Sequence, residues 1–566
     1  MVRLCRRGLI AAGWVFAVVG GAHGQLVPVD PLPPLNLPAA PLERAVGGTT
    51  LPPLPPLPPI PPPDALPPVV PVQPTSTATG PLSPPPLPTS FRPTIQPGQV
   101  AVGRRVDPTA ATVLPPGPIA PDKIMPVDPP PRPELPAAPP VSAPAPRLFE
   151  AYWNNGLFFR SADGGFTAHV GASLHYDGAW YTGGTGVQTL PGGVGRFSDG
   201  VAARRLRLLM DGSLYSNVDY KLDVELANGF QPAGLTAPTA ASTVANSLGL
   251  ADAWVTLKEV PFLGNVRVGN QKEWFSLEHL ESQRALMFME RSYLFDATQP
   301  TAFNNARSPG LSAFRTWAND RVFTGVGVYK NVSDTFGFGV GDGQYAVTGR
   351  VAALPVWCPE EQYYWHVGGA MSHRDPVDGQ VRVRVRNAIR NAPAPLLNLI
   401  ADTGAITSAS QDLFNLETAA AYGPVTVSSE YTANLIRGAR VGAGPNLGTL
   451  VYNGFYTQGM VFLTGEHREW DPKTGVFKRV IPLRNLSFKD GTFGAVETGV
   501  RYSYLDLDDE GVNGGRLNGL TLGLTWYWNA NVRLQFNYDY LYRDGGPNPL
   551  VKGAIHSFGT RLAVDF

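Results

Sequence analysis

Val532-Arg-Leu-Gln-Phe-Asn-Tyr-Asp-Tyr540 alternates apolar and polar residues without a break. Successive side chains of a β-strand point to opposite faces. Val532, Leu534, Phe536, Tyr538 and Tyr540 therefore share one surface, and Arg533, Gln535, Asn537 and Asp539 share the other. A helical period would scatter both sets around the axis. Tyr220 to Leu226 repeats the scheme, with Lys221, Asp223 and Glu225 on the polar side. The final strand sets Phe558, Thr560, Leu562, Val564 and Phe566 against Arg561 and Asp565.

A water-soluble sandwich alternates as well, so the decision rests on three further features. Charges occupy the polar face in strand after strand. The strands run about 8 to 12 residues, the length that crosses a bilayer when tilted. Apolar faces end in aromatics, such as Trp526 and Trp528 or Tyr538, Tyr540 and Tyr542, which suits interfacial girdles.

Connections alternate in length too. Short links include Ser216-Asn-Val-Asp219, Lys330-Asn-Val-Ser-Asp334, Gly423-Pro424 and Asn529-Ala-Asn531; long ones include 177–203, 227–251, 273–320 and 374–416. Strands counted from Phe166–Tyr176 to Ser557–Phe566 number 16, which places both ends of the barrel on the side of the short turns. The 464–494 connection is long where parity predicts a turn. The expected fold is all-β: a 16-stranded antiparallel transmembrane β-barrel with short periplasmic turns and long external loops, over residues 149–566.

The chain before the barrel divides in two. Arg3, Arg6 and Arg7 precede an apolar stretch, Leu9 to Val19, and Ala22-His-Gly24 offers a small-x-small cleavage site, so residues 1–24 form a signal peptide. Residues 25–148 form a proline-rich periplasmic tether; 41 of the 58 prolines fall between Gln25 and Arg147. Proline removes backbone donors and favours extended conformations, so this stretch builds no packed core. It is expected to act as a semi-rigid spacer or to contact the cell wall.

Composition narrows the chemistry. Lys plus Arg and Asp plus Glu number 45 each, which gives no footprint for nucleic acid. Two cysteines, Cys5 and Cys358, are too few for a disulfide framework or a cysteine metal site. None of the eight histidines falls in His-x-x-x-His, and there is no Gly-x-Ser-x-Gly elbow or phosphate-binding Gly-rich loop. No catalytic residue, metal ligand or cofactor is expected.

Several stretches resemble one family, the phosphate-selective porins O and P. They are Arg204-Arg-Leu-Arg-Leu-Leu-Met-Asp-Gly212, Ala251-Asp-Ala-Trp-Val-Thr-Leu257, Val268-Gly-Asn-Gln-Lys-Glu-Trp-Phe-Ser-Leu-Glu278 and Phe288-Met-Glu-Arg291. Leu463-Thr-Gly-Glu466, the run from Gly494 to Leu507 and the run from Gly523 to Arg533 continue the series in order. The resemblance covers roughly 160–566. It implies three barrels in a homotrimer within outer-membrane lipid, a third long loop folded inward to narrow the pore, and lumen arginines and lysines that lead small anions, phosphate or polyphosphate, to the constriction. It also implies that the barrel-assembly machinery recognises the terminal Phe566.

Carried onto this chain, the third loop is 273–320, with Arg284, Arg291, Arg307 and Arg315 in it and Lys272 at its start. By alternation Arg205 and Arg207 point opposite to Leu206, Leu208 and Met210 and so into the lumen, with Arg204 at the rim. Guanidinium groups bind oxyanions through fixed paired donors and stay charged at any relevant pH. The candidate pore-lining, anion-binding set is therefore Arg204, Arg205, Arg207, Lys272, Arg284, Arg291 and Arg315. Asp223, Glu225 and Asp252 are expected to pair with these cations. From residue 150 onward there are 35 basic and 38 acidic residues and only 8 lysines, so selectivity must come from placement rather than bulk charge. Alternatives are a general non-selective porin and a structural envelope protein that anchors the tether to the cell wall.

Overall fold

The computed structural model describes residues 148–227, 248–298, 306–331, 342–390 and 398–566. The expected signal peptide and the expected proline-rich tether as far as residue 147 lie outside the described residues. Sixteen strands close on themselves in antiparallel order, and a short N-terminal hairpin extends the same sheet.

In chain order the strands are β1 (Phe166–Thr182), β2 (Gly200–Leu214), β3 (Val218–Glu225) and β4 (Gly249–Val260). There follow β5 (Gly264–Gln271), β6 (Ser308–Trp317), β7 (Val322–Lys330) and β8 (Tyr345–Cys358). The second half holds β9 (Tyr363–Arg374), β10 (Ser410–Tyr422), β11 (Val425–Arg437) and β12 (Thr449–Phe462). It ends with β13 (Ala495–Asp509), β14 (Val512–Tyr527), β15 (Val532–Asp544) and β16 (Gly553–Asp565). Closure pairs β16 with β1, from Asp565 opposite Ser173 to His556 opposite Thr182. Below that seam the hairpin Phe149–Trp153 and Leu157–Ser161 pairs onto the start of β1, Arg160 opposite Thr167.

Burial in this barrel is inverted relative to a soluble protein. The largest fully buried side chains include Arg350, Arg468, Arg501 and Arg561, whereas Leu208, Val268, Leu416, Leu522 and Phe558 are exposed. On β11, Thr426, Ser428, Glu430, Thr432 and Asn434 are buried inside, while Val425 and Tyr431 face out. An apolar exterior and a polar, charged interior are what a bilayer-spanning barrel requires. Because the ring of strands is closed, the wall offers lipid no free sheet edge.

Turns on the periplasmic side are tight: 215–217, 261–263, 318–321, 359–362, 423–424 and 528–531. Gly423 opens the two-residue turn at φ 53°, the left-handed region that glycine enters without a side-chain penalty. Three expectations are corrected. The third loop is 272–307, because residues 308–317 continue as β6. Lys330–Asp334 is no short link; it opens the external connection 331–344, most of which lies outside the described residues. The β13–β14 connection is a two-residue turn, Glu510-Gly511, on the long-loop side. Long periplasmic connection 463–494 does follow β12, and part of it turns inward.

Candidate functional site

The third loop enters the lumen and is buried along nearly its whole described length. Two short helices, α1 (Leu277–Leu280) and α2 (Tyr293–Thr298), frame it. Wall residues hold it from several sides. Glu430 of β11 accepts from the backbone N–H groups of Leu277 and Glu278 at 3.1 and 2.7 Å. Gln535 of β15 donates to the carbonyl of Met287 at 2.7 Å, and the Tyr293 hydroxyl donates to Asp539 at 2.7 Å. Met287, Phe288 and Tyr293 pack over Gly523 and Gly519, where any side chain would collide with them.

At the middle of the loop Glu290 gathers four arginines. Arg561 of β16 reaches Oε1 at 2.7 Å, Arg205 reaches Oε2 at 3.1 Å, Arg204 reaches Oε1 at 3.1 Å, and Arg390 approaches Oε2 at 3.7 Å. Arg561 also binds Asp177 through two 2.6 Å bonds. Arg390 and Arg386 share Asp296 of α2, at 3.0 and 2.8 Å. Among the described residues, five guanidinium groups thus gather around three carboxylates, four of them on Glu290 itself. The Glu290 carboxyl is held well below the usual range because these cations outweigh the cost of its burial.

A β-bulge builds half of this island. Between β1 and β2 the register jumps from His175 opposite Arg205 to Tyr176 opposite Ala203, so Arg204 is the extra residue. A bulge breaks strict alternation. Two consecutive arginines reach the same carboxylate as a result, and Arg204 is a member of the cluster rather than a rim residue.

The remaining expected residues lie elsewhere. Arg207 points inward but pairs with Glu225 at 2.7 Å and Asp223 at 3.5 Å. Lys272 donates to the carbonyls of His279, Leu280 and Glu281 at 2.7 to 3.1 Å, closing the C-terminal end of α1. Arg284 binds the carbonyl of Phe566 at 3.1 Å at the periplasmic end. Arg291 folds back onto the carbonyls of Glu278 and Glu281, both at 2.6 Å, and lies over the Phe295 ring. Arg307 pairs with Asp252 at 3.0 Å, as does Lys221 at 3.1 Å. Arg315 is not in the loop or the lumen. It sits on β6 with the outward-facing Leu311 and Trp317, exposed, its guanidinium 4.4 Å from the Trp317 ring centre.

Two further segments fill the barrel. From outside, the connection 375–409 brings Val383, Val385, Ile400 and Ile406 against inward-facing Leu505, Leu517, Leu541 and Ile555, an apolar cap over the outer mouth. From the periplasm, residues 466–480 cross the lumen beneath the third loop. Arg350 of β8 donates to the Gly475 carbonyl at 2.8 Å, and Arg479 donates to the Asp565 carbonyl of β16 at 3.2 Å. Trp470 and Phe477 of this strap pack on the inward-facing wall residues Leu354, Tyr364, Ala419 and Ala421, and Val480 packs on Phe462, Ala495 and Tyr527, so the strap is anchored on several strands at once.

Strap and loop meet at a small cavity lined by Glu278, Glu281, Phe288, Gln458, Arg468 and Arg501. Burial pushes the Glu281 carboxyl up to about 7, with Arg468 and Arg291 opposing that shift. Glu290, Arg561, Arg386, Arg390 and the strap were not among the expected site residues. Glu290 lies inside the quoted motif Phe288-Met-Glu-Arg291, and Arg561 on the polar face of the last strand. Both were visible in sequence, but nothing there said that they meet.

Comparison with known proteins gives three kinds of match. An uncharacterized protein of Caulobacter vibrioides is 28% identical over 481 residues, which covers 82% of this chain and 86% of the relative. Among solved structures, the anion-selective porin from Comamonas acidovorans aligns with 71% of this chain and 100% of its own, at 13% identity and a TM-score of 0.42. The outer membrane channel DcaP of Acinetobacter baumannii aligns with 72% of this chain and 99% of its own, at 11% identity and a TM-score of 0.42. The family model for the phosphate-selective porins O and P matches residues 186–566. A closed barrel with a charged, loop-narrowed lumen and a family match over two thirds of its length together make this chain a member of the phosphate-selective porin O and P family, an outer-membrane channel.

Proposed function

We propose that the barrel passes small anions, of the phosphate class, by passive diffusion past the arginine island around Glu290. The observation that carries this reading is the convergence of four guanidinium groups, those of Arg204, Arg205, Arg390 and Arg561, on the single carboxylate of Glu290 at the middle of the third loop. A permeating oxyanion presents the same acceptor geometry as the Glu290 carboxylate, and planar guanidinium donors suit both. Partly desolvated cations attract anions far more than they would in bulk water; at ~4 Å and an intermediate dielectric the attraction is about 4 kcal/mol before desolvation is subtracted. The family supports phosphate as the anion, and the homotrimer comes with the same reading.

Single-channel recording in planar bilayers tests it. Reversal potentials under a chloride gradient are expected to show anion preference, and added phosphate to reduce chloride current. A cation preference, or none, would leave a general porin. Absence of any conductance would favour the structural reading, in which the barrel only anchors its N-terminal segment. The filled lumen, with strap, loop and outer cap all packed inside, is what keeps that second reading in play.

A further inference from the structure

We propose that the second half of the periplasmic connection, residues 483–494, is a membrane-docking hairpin that inserts into the phospholipid leaflet facing the periplasm. This rests on the outer-membrane placement of the barrel and not on the anion it passes. The connection of 463–494 splits into two arms. The first enters the lumen as the strap. The second leaves the lumen and forms a short hairpin, Leu486–Ser487 against Thr492–Phe493, on the outside of the wall.

Its position is fixed by two bonds to β14 and its turn. The indole N–H of Trp526 donates to the Phe493 carbonyl at 2.6 Å, and the Leu486 N–H donates to the Trp528 carbonyl at 2.6 Å. Trp526 follows Leu520, Leu522 and Leu524 on the outward face of β14, the face turned to lipid. The hairpin therefore continues the lipid-facing surface at the level where its aromatic girdle ends.

Its large apolar side chains stand open. Phe488 is 89% exposed, Leu483 72% and Phe493 71%. The Phe493 ring lies 6.3 Å from that of the outward-facing Trp526, and aromatics at a membrane boundary prefer the headgroup level. Arg484 and Lys489 lie between these residues in sequence, so cations accompany the apolar groups as in interfacial segments that bind anionic lipid. Every other periplasmic turn spends only two to four residues, so a tight barrel does not need this hairpin. Lipid is the favoured occupant because the patch is continuous with a surface that is already lipid-facing.

A nitroxide on Phe488→Cys in the full chain, reconstituted in phospholipid bilayers, tests the placement, with the unsubstituted chain carried through the same labelling as the background. Strong relaxation by dissolved oxygen and weak relaxation by a chelated nickel complex are expected. The same label on Asp490→Cys, at the polar tip, is expected to reach the nickel complex. Equal nickel access at both positions would overturn the proposal. So would nitroxide–nitroxide broadening at position 488, which would make the patch an interface between copies of this chain. Conductance of the same preparation reports separately on the channel reading: a silent barrel with a lipid-buried label would still uphold the docking hairpin.

Discussion

Arg468 of the periplasmic strap donates to the carbonyl of Ala285 in the third loop at 2.5 Å, so segments that enter the barrel from opposite ends touch inside it. The same guanidinium is held by Glu497 of β13 through bonds of 2.6 and 2.7 Å. One side chain thus fastens loop, strap and wall together. Removing one partner of a buried ion pair costs about 3–5 kcal/mol because the other charge stays unpaired. Arg468→Ala is expected to lower the temperature at which the barrel unfolds on gels and to raise single-channel conductance by loosening the strap. Arg468→Met with Glu497→Leu removes both charges; it is expected to recover much of the stability but to keep the larger conductance. Wild-type conductance in both variants would show that the strap does not narrow the conducting path.

Arg204 and Arg205 reach the Glu290 island, whereas Arg207, two residues on, pairs with Asp223 and Glu225 instead. Arg204→Ala with Arg205→Ala takes two cations from the island and leaves Arg561 and Arg390 on Glu290. Anion preference is expected to fall, most clearly at low salt where screening is weakest. A change of even 1 kcal/mol alters site occupancy about fivefold. Arg207→Ala strands Asp223 and Glu225 instead. Its main effect is expected on stability, with the reversal potential close to that of the unaltered channel. Equal shifts in both variants would show that the lumen acts as one diffuse field and not through this island.

Much of the fold was legible because period-two patterning fixes both strand identity and which face meets lipid. Charges on Lys221, Asp223 and Glu225, or on Arg533 and Asp539, leave no alternative direction for the apolar set. What alternation cannot register is a bulge, and one bulge moves Arg204 from the rim into the island. Nor does the pattern mark where a loop ends. The conversion of 308–317 into β6 took Arg315 from the constriction to the outer wall. The strap was foreshadowed only as an unexplained length at 464–494, since inward folding depends on contacts such as Arg350 with Gly475, 125 residues apart. Pairings of that kind are tertiary and have no local signature.

Arg315 gives a negative control. Its guanidinium stacks on Trp317 at the outer surface near the periplasmic turn, where the pair fits a membrane boundary. Arg315→Ala is expected to leave conductance and reversal potential unchanged in salts of any strength. A selectivity shift comparable to that of the Arg204 and Arg205 double variant would mean that the outward placement of β6 residues is wrong.

Glu281 provides the pH dependence. Its carboxyl lies buried at the junction of loop and strap, and burial raises it from 4.5 to about 7. Between those two values the folded protein holds a proton that the unfolded chain releases. There the unfolded state binds fewer protons, so stability declines as pH rises through this window; above about 7 neither state holds the proton and the profile is flat. Function follows the same proton. Below pH 7 the group is neutral; above it, a carboxylate stands beside the cavity through which Arg468 and Arg501 face the third loop. Anion preference is expected to weaken on going from pH 6 to pH 8, with a midpoint near 7. Glu281→Gln cannot ionise, so it is expected to hold the low-pH selectivity across the range and to flatten the stability profile. Reversal potentials measured at both pH values in wild type and Glu281→Gln decide the matter: parallel pH responses in the two proteins would assign the titration to another group.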